Sequence, residues 1–329
     1  VTITKIKNDE HWHRLRSSHI GASEVASLLI GHDELELYSD DTFLTAHELY
    51  CLKRGLLKGR ESSKVMEFGN VMEPIIAHMI ATENDFEIGK AHDYHEHPDY
   101  PFLGCTLDYY VFQSPEGPVL LQIKNVVHTS YKWTQAKAPP AVEIQVQQEL
   151  MVVNAARKAA GLEPFAAHCI GSMHKGNPED IRIMYRPALP EVQEAIIDAG
   201  KRFWYNMNAG IEPAIDNPKD YKHILQMIKA AEKIEKTIDL RGNKTVDKLA
   251  MEYLEAKQAR LMAEKREDML KARLMRHCMA EEKGSMVAYI YAKSDNCTLS
   301  LKEIQVQYKA KPASIGKQTR FDVNLSKSG

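Results

Sequence analysis

The sequence predicts an α/β architecture: a mixed central sheet flanked by helices, followed by a C-terminal helical hairpin and a small β extension. Three observations lead there. Up to about residue 210, segments with apolar residues at helical spacing alternate with short runs of strand-forming residues. From Lys219 to Lys283 the chain turns rich in Lys, Glu, Ala, Leu and Met, and from Met286 a two-residue alternation returns. The expected divisions are residues 1–215, 216–285 and 286–329. At 329 residues, 44% hydrophobic and 27% charged, the chain can bury one large core and carry an appendage.

Taken in order, "ASEVASLLIG" and "TAHELYCLKRGLL" carry helical spacing, and "FGNVMEPIIAHMIATEN" opens a helix at about Pro74, a residue suited to a first turn. "PFLGCTLDYYVF", "PVLLQIKNVV", "FAAHCIGSM" and "DIRIMYRPA" read as strands, with the turn signals "SPEGP" and "HKGNPED" between them. "AVEIQVQQELMVVNAARKAAG" reads as a helix ending at Gly161, and "LPEVQEAIIDAGKRFWYNMNAG" as another. Beyond them, Ile224, Ile228, Ala231, Ile234 and Ile238 form one helical stripe, and Leu254, Leu261, Leu270 and Leu274 a second. "LRGNKT" interrupts the two, which suggests an antiparallel hairpin whose charged faces are solvated. "MVAYIYA", "CTLSLKEIQVQYK" and "TRFDVNLSK" suggest a terminal sheet.

The formal net charge of −2 argues against a broad basic coat for duplex DNA, so any nucleic-acid contact must be local. No apolar run approaches the roughly 18 residues of a membrane span, and "VTITKIKNDEHWHRLR" lacks the apolar stretch of a signal peptide. No membrane association and a cytoplasmic setting are the resulting expectations. Five cysteines, at 51, 105, 169, 278 and 297, form no C-x-x-C pair, so neither a disulfide framework nor a zinc site is indicated.

The chemistry is concentrated in residues 106–124, "TLDYYVFQSPEGPVLLQIK". An aspartate precedes a hairpin-like gap, and the next strand carries Gln122, Ile123 and Lys124. Residues two apart on a strand share a face, so Gln122 and Lys124 project together while Ile123 turns to the core. An Asp on one strand with Glu-x-Lys on the next is the usual nuclease pattern: two carboxylates hold Mg²⁺ and the lysine orients the attacking water. Here a neutral glutamine stands at the second carboxylate. An ordinary solvated strand face has the same local pattern.

"DEHWHRLRSSHIGASEVASLL", "FGNVMEP" and "EIQVQQELMVV" surround these strands in a fixed order. In that combination the sequence resembles the phage lambda exonuclease family, the YqaJ-type viral recombinases of the PD-(D/E)xK nuclease superfamily, over about residues 8 to 210. The resemblance implies that Asp108, Gln122 and Lys124 are catalytic. It implies that Asp108, Gln122, the Ile123 carbonyl and Glu73 hold Mg²⁺, with Mn²⁺ as a substitute. It further implies that Arg16, Ser23, Thr106 and Gln145 contact DNA and its 5′-phosphate. On the residues alone, Arg16 also fits a surface salt bridge, Ser23 a helix cap and Glu73 a first-turn partner of the helix dipole.

Family members degrade one strand of duplex DNA 5′ to 3′, assemble as a homotrimeric ring, and pass the 3′ tail to a single-strand annealing protein. An alkaline-exonuclease-type deoxyribonuclease of a phage or mobile element in a bacterial host follows from the likeness. Gln122 admits three explanations: an engineered Glu-to-Gln inactivation, a natural degenerate enzyme, or relocation of the acid to Glu143. A noncatalytic DNA-end-binding scaffold and an endonuclease of the same superfamily are the alternatives.

Overall fold

The computed structural model describes residues 3–32, 42–59, 62–127, 132–231 and 242–278, together with three short strands between residues 291 and 326. The first compact unit is Val1–Lys233 and the second Ile234–Gly329. The first begins with β1 (Ile3–Lys5), α1 (Asp9–Ser17), β2 (Ile20–Gly21), a 3-10 turn (Val25–Leu28), α2 (Ala46–Lys53) and α3 (Lys64–Asn84). There follow β3 (Glu87–Lys90), β4 (Asp93–Glu96), β5 (Leu103–Thr106), β6 (Tyr109–Gln113), β7 (Val119–Val126) and α4 (Pro140–Ala159). The unit closes with β8 (Ala167–His174), β9 (Asn177–Pro187), α5 (Pro190–Asn208) and α6 (Asp220–Ala230). The boundary expected at residue 215 precedes α6, whereas the compact units divide after it.

Two sheets carry the unit, ordered β3-β6-β7-β8-β9 and β1-β4-β5-β2. The pair β7–β8 is parallel, a geometry that needs a long crossover, and α4 supplies it. Alternation along β7 sorts its side chains. Val119, Leu121 and Ile123 pack with Ile76, Ala77 and Ile80 of α3, while Leu120 packs in a cluster with Ile144, Leu150 and Val153 of α4. Gln122 and Lys124 therefore face α4, among side chains whose burial contributes about 1.5–3 kcal/mol apiece.

Several elements depart from expectation. The strand predicted through "PFLGCTLDYYVF" is two strands in different sheets: β5 pairs with β4 and β2, and β6 with β3 and β7. Asp108 lies in the crossing between them, not on a strand, and Thr106 ends the preceding one. The β3–β4 connection makes the same crossing, and the Ala91 amide donates to the Asp108 carbonyl at 3.0 Å. Composition alone reads as continuous because neither sheet needs a different residue type.

Helix α3 starts at Lys64, capped by Ser63, whose hydroxyl accepts from Met66 N at 3.2 Å. Pro74 thus sits inside the helix, where it has no N–H to give the Asn70 carbonyl. "ASEVASLLIG" yields only the 3-10 turn. In α6 the buried residues are Asp220 and His223, not the isoleucine stripe, and Ile228 is 65% exposed. Ile234 and Ile238, with Leu240 and Arg241 of "LRGNKT", lie outside the described residues.

In the second unit α7 (Lys244–Cys278) is a single long helix. Asn243 Oδ1 accepts from Thr245 N at 3.1 Å at its start, and pairs such as Arg260–Glu264 at 2.8 Å add a few tenths of a kcal/mol each. Leu254, Leu261 and Leu270 are exposed. The expected terminal sheet is present as antiparallel β10 (Tyr291–Ser294), β11 (Cys297–Leu301) and β12 (Val323–Ser326).

Gly171 on β8 opposes Ile123, and a Cβ there would collide with Ile80 Cδ1 while lying 3.3 Å from Leu121 and Ile123 Cδ1. Gly171→Ala should therefore destabilise the protein by about 1–3 kcal/mol through overpacking between α3 and the sheet, read as a lowered urea midpoint.

Candidate active site

Where the chain crosses between sheets, the Asp108 carboxylate is carried onto β7. Its Oδ2 accepts from the Ile123 amide at 2.8 Å and from Gln122 Nε2. Gln122 Oε1 in turn accepts from Gln145 Nε2 at 3.1 Å, and Gln145 Oε1 accepts from Lys124 Nζ at 3.0 Å. Gln145 Nε2 also donates to Glu149 Oε1 at 2.8 Å, and Glu149 Oε2 meets His168 Nε2 at 2.7 Å. The amide orientations follow from their partners: a flipped Gln145 would set its NH₂ against the Lys124 ammonium, and a flipped Gln122 would set its carbonyl against a carboxylate.

A cavity of about 430 Å³ opens over this network. Arg16, Ser23, Glu73, Thr106, Asp108, Gln122, Ile123, Lys124 and Gln145 all line it. The elements that deliver them are scattered along the chain: α1, the β2-to-3-10 connection, the middle of α3, the end of β5, the sheet crossing, β7 and the first turns of α4. Gln122 is buried, and Asp108 and Lys124 are half-buried on the same side of the sheet. Glu73 pairs with Lys90, whose ammonium lies 4.7 Å from the Tyr109 ring centre.

Arg16 is held in place from two sides. Its guanidinium stacks 4.7 Å over Trp12, and one Nη2 donates to Glu24 Oε1 at 2.9 Å. Glu24 is buried, also accepts from Gly21 N at 2.8 Å, and pairs with Lys53 Nζ at 2.7 Å. Arg16 is thus in a salt bridge, though with a buried partner and at the cavity wall. Ser23 does not take the cap position of the 3-10 turn, which belongs to Glu24.

Charge in the cavity is unbalanced. Burial, and the Glu73 carboxylate beside it, push the Asp108 carboxyl up to about 6 against the pull of Lys124 and the Ile123 amide, with Glu149 adding to the rise. Burial also disfavours the charged form of Glu24, but Lys53 and Arg16 outweigh it and hold that carboxyl below its ordinary value.

Glu149, Asn70, Asn125 and Trp12 line the same cavity and were not singled out from the sequence. Glu149 stands one helical turn beyond Gln145, the spacing that signals a shared face. Glu143 lies elsewhere: it pairs with Arg186 at 2.5 Å and accepts from the Ala138 amide at 2.9 Å. Gln147 turns away as well, donating to Pro187 O at 2.9 Å.

Residues 11–157 match the family model of the YqaJ-like viral recombinase domain. Among solved structures, the chain is similar to the alkaline exonuclease LHK-Exo from Laribacter hongkongensis, at 17% identity and a TM-score of 0.45. That match covers 68% of this chain and 100% of the other. A putative exonuclease from Eubacterium rectale matches at 9% identity and a TM-score of 0.39, covering 73% of this chain and 98% of the other. A SOX–DNA complex matches at 9% identity and 0.37, covering 66% and 71%. No curated protein matches the sequence.

Two measurements check these electrostatics. Because the folded Asp108 carboxyl titrates higher than an unfolded one, its ionisation opposes folding increasingly as pH rises from about 4 through about 6. Asp108→Asn should accordingly raise the urea midpoint at pH 8 and give no such gain at pH 4. Glu24→Ala strands Lys53 and Arg16 without their carboxylate and should cost about 3–5 kcal/mol at pH 7 in the same assay.

Proposed function

We propose, from the match of residues 11–157 to the YqaJ-like viral recombinase domain, that the chain is a Mg²⁺-dependent 5′-to-3′ exonuclease of duplex DNA, impaired by Gln122. The observation that carries this reading is the convergence of Asp108, Glu73, Lys124, Arg16 and Gln145, from separate elements, on one cavity. The donors there, two carboxylates with the Gln122 amide oxygen and the Ile123 carbonyl, are hard oxygens, which suit Mg²⁺ or Mn²⁺. Asp108 repelled by Glu73 is also the charge state a cation relieves. When bound, the ion supplies a more acidic water and offsets charge on the phosphate.

Lys124, held by Gln145, orients the attacking water, and its ammonium stabilises the negative charge that develops. Arg16 takes the 5′-phosphate through guanidinium N–H groups left over from Glu24, with the Ser23 and Thr106 hydroxyls beside it. A neighbouring cavity of about 1520 Å³ shares Ser23, Lys124, Asn125 and Gln145 and is lined further by Lys58 and Lys222, which suits a polyanionic strand. The 3′ tail passes to a single-strand annealing protein, and a homotrimeric ring around DNA accounts for attachment without a basic coat. A phage product acting in the bacterial cytoplasm fits this role.

Gln122 weakens the site in two ways. It removes a unit charge, and its Nε2 already donates to Asp108, so offering Oε1 to a cation requires the amide to turn and break the Gln145 bond. Glu149 is committed to His168 and does not replace the lost acid. That lost charge is also what favours the second reading, a noncatalytic scaffold that binds DNA ends.

Gln122→Glu should raise Mg²⁺-dependent digestion of a linear 5′-phosphorylated duplex by about 10²-fold or more, since a metal ligand is worth several kcal/mol in the transition state. Closed circular DNA should stay intact, and Asp108→Asn added to Gln122→Glu should abolish the gain. Unchanged digestion by the reverted protein with metal bound would overturn the catalytic assignment. Cleavage of the circle would point to an endonuclease instead.

A further inference from the structure

Among the described residues, His47, Cys51 and His223 gather in a buried cluster whose ligand atoms all lie within 4.8 Å of one another. None of them lines the cavity over Asp108. His47 and Cys51 stand one turn apart on α2, and His223 reaches them from α6. His47 Nδ1 is 3.7 Å from Cys51 Sγ and 2.8 Å from His223 Nε2, with the two rings stacked at 5.1 Å. Around tetrahedral zinc, bonds of about 2.0–2.1 Å to nitrogen and 2.3 Å to sulfur place neighbouring donors roughly 3.3–3.6 Å apart. The sulfur is close to ligand spacing from His47 and within 4.8 Å of His223, and the two imidazoles need to part by about half an ångström.

The nitrogens on the far side of each ring give a second, independent indication. His47 Nε2 faces Glu212 Oε2 at 3.9 Å, and His223 Nδ1 faces Asp220 Oδ1 at 3.8 Å. Both contacts are at ion-pair and not hydrogen-bond distance, yet they set a carboxylate on the side of each ring where zinc-bound histidines have the partner that orients them. Asp220 is itself fixed, by the Thr45 hydroxyl and by the Asn217 amide at 3.2 Å. Burial first, and then the Glu212, Asp220 and Glu48 carboxylates, push the Cys51 thiol up, so the sulfur keeps its proton until a cation offsets the same negative field.

We propose that His47 Nδ1, Cys51 Sγ and His223 Nε2 hold a zinc ion that clasps α6 to α2. The mixed nitrogen and sulfur set selects a borderline metal over Mg²⁺. Binding displaces the Cys51 thiol proton to solvent, leaves the fourth position to water, and adds a metal link to the contacts that already hold α6 against α2 in the first unit.

The test uses the full chain. After expression with zinc and gel filtration, metal analysis should find one zinc per chain, falling to near zero in Cys51→Ser and in His223→Ala. Replacing zinc by Co²⁺ should produce a thiolate-to-cobalt charge-transfer band and the strong visible absorption of tetrahedral cobalt. Cobalt at the oxygen donors around Asp108 gives no sulfur band, so the two sites are told apart. A wild-type chain that retains no zinc and shows no sulfur band on Co²⁺ addition would overturn the proposal, whether or not the variants fold. Equal zinc in wild type and a folded Cys51→Ser variant would do the same.

Discussion

The hydrogen bond from the Ile123 amide to the Asp108 carboxylate is the contact on which the cavity's polar network depends. It joins the crossing between two sheets to the central strand of one of them. Were β5 and β6 one continuous strand, Asp108 would lie in a ladder instead of over β7. The crossing is held by the Ala91 amide on the Asp108 carbonyl, and the neighbouring side chains, Leu107 and Tyr109, are buried. The Asp108 carboxylate is therefore placed by backbone geometry and by core packing on both sides of it, and not by its own side-chain preferences.

Around that bond lies a polar network in which each amide has one workable orientation. Buried polar groups cost free energy unless they are paired, and here the pairing runs from Lys124 through Gln145 to Gln122 and Asp108, with Glu149 and His168 closing one branch. Gln122 completes the network without an ion, because its NH₂ stands as a donor in front of Asp108. A glutamate there would face a like charge across the same gap, and a cation would then be needed to relieve it. The amide thus trades a site that calls for a cation for one that is satisfied without it.

How far the sequence could be read varies with the kind of information. Helix α4 and strands β7, β8 and β9 were legible because their periodicity and flanking turns agree with their packing. The start of α3 was not: Pro74 is a strong local signal for a first turn, but the Ser63 cap and the packing of Ile76 and Ile80 outweigh it. The sheet crossing was hidden because alternation continues through it. Glu149 was legible in principle, one turn from Gln145, yet its direction depends on how α4 is rotated against β7. His47 and Cys51 share a helix face by spacing alone, but nothing in a chain read end to end brings His223 to them.

By itself, the sequence determined the alternation of helices and strands, the shared face of Gln122 and Lys124, and the neutral amide at position 122, because each is set by local periodicity and residue identity. The tertiary structure alone decided that Arg16, Ser23, Glu73, Thr106 and Asp108 open onto one cavity. It also decided that Arg16 is braced by Glu24 and that α6 packs beside α2. These depend on which strands pair and where the chain leaves one sheet for the other, and such long-range choices are made by the burial of whole faces, which no short window of sequence contains.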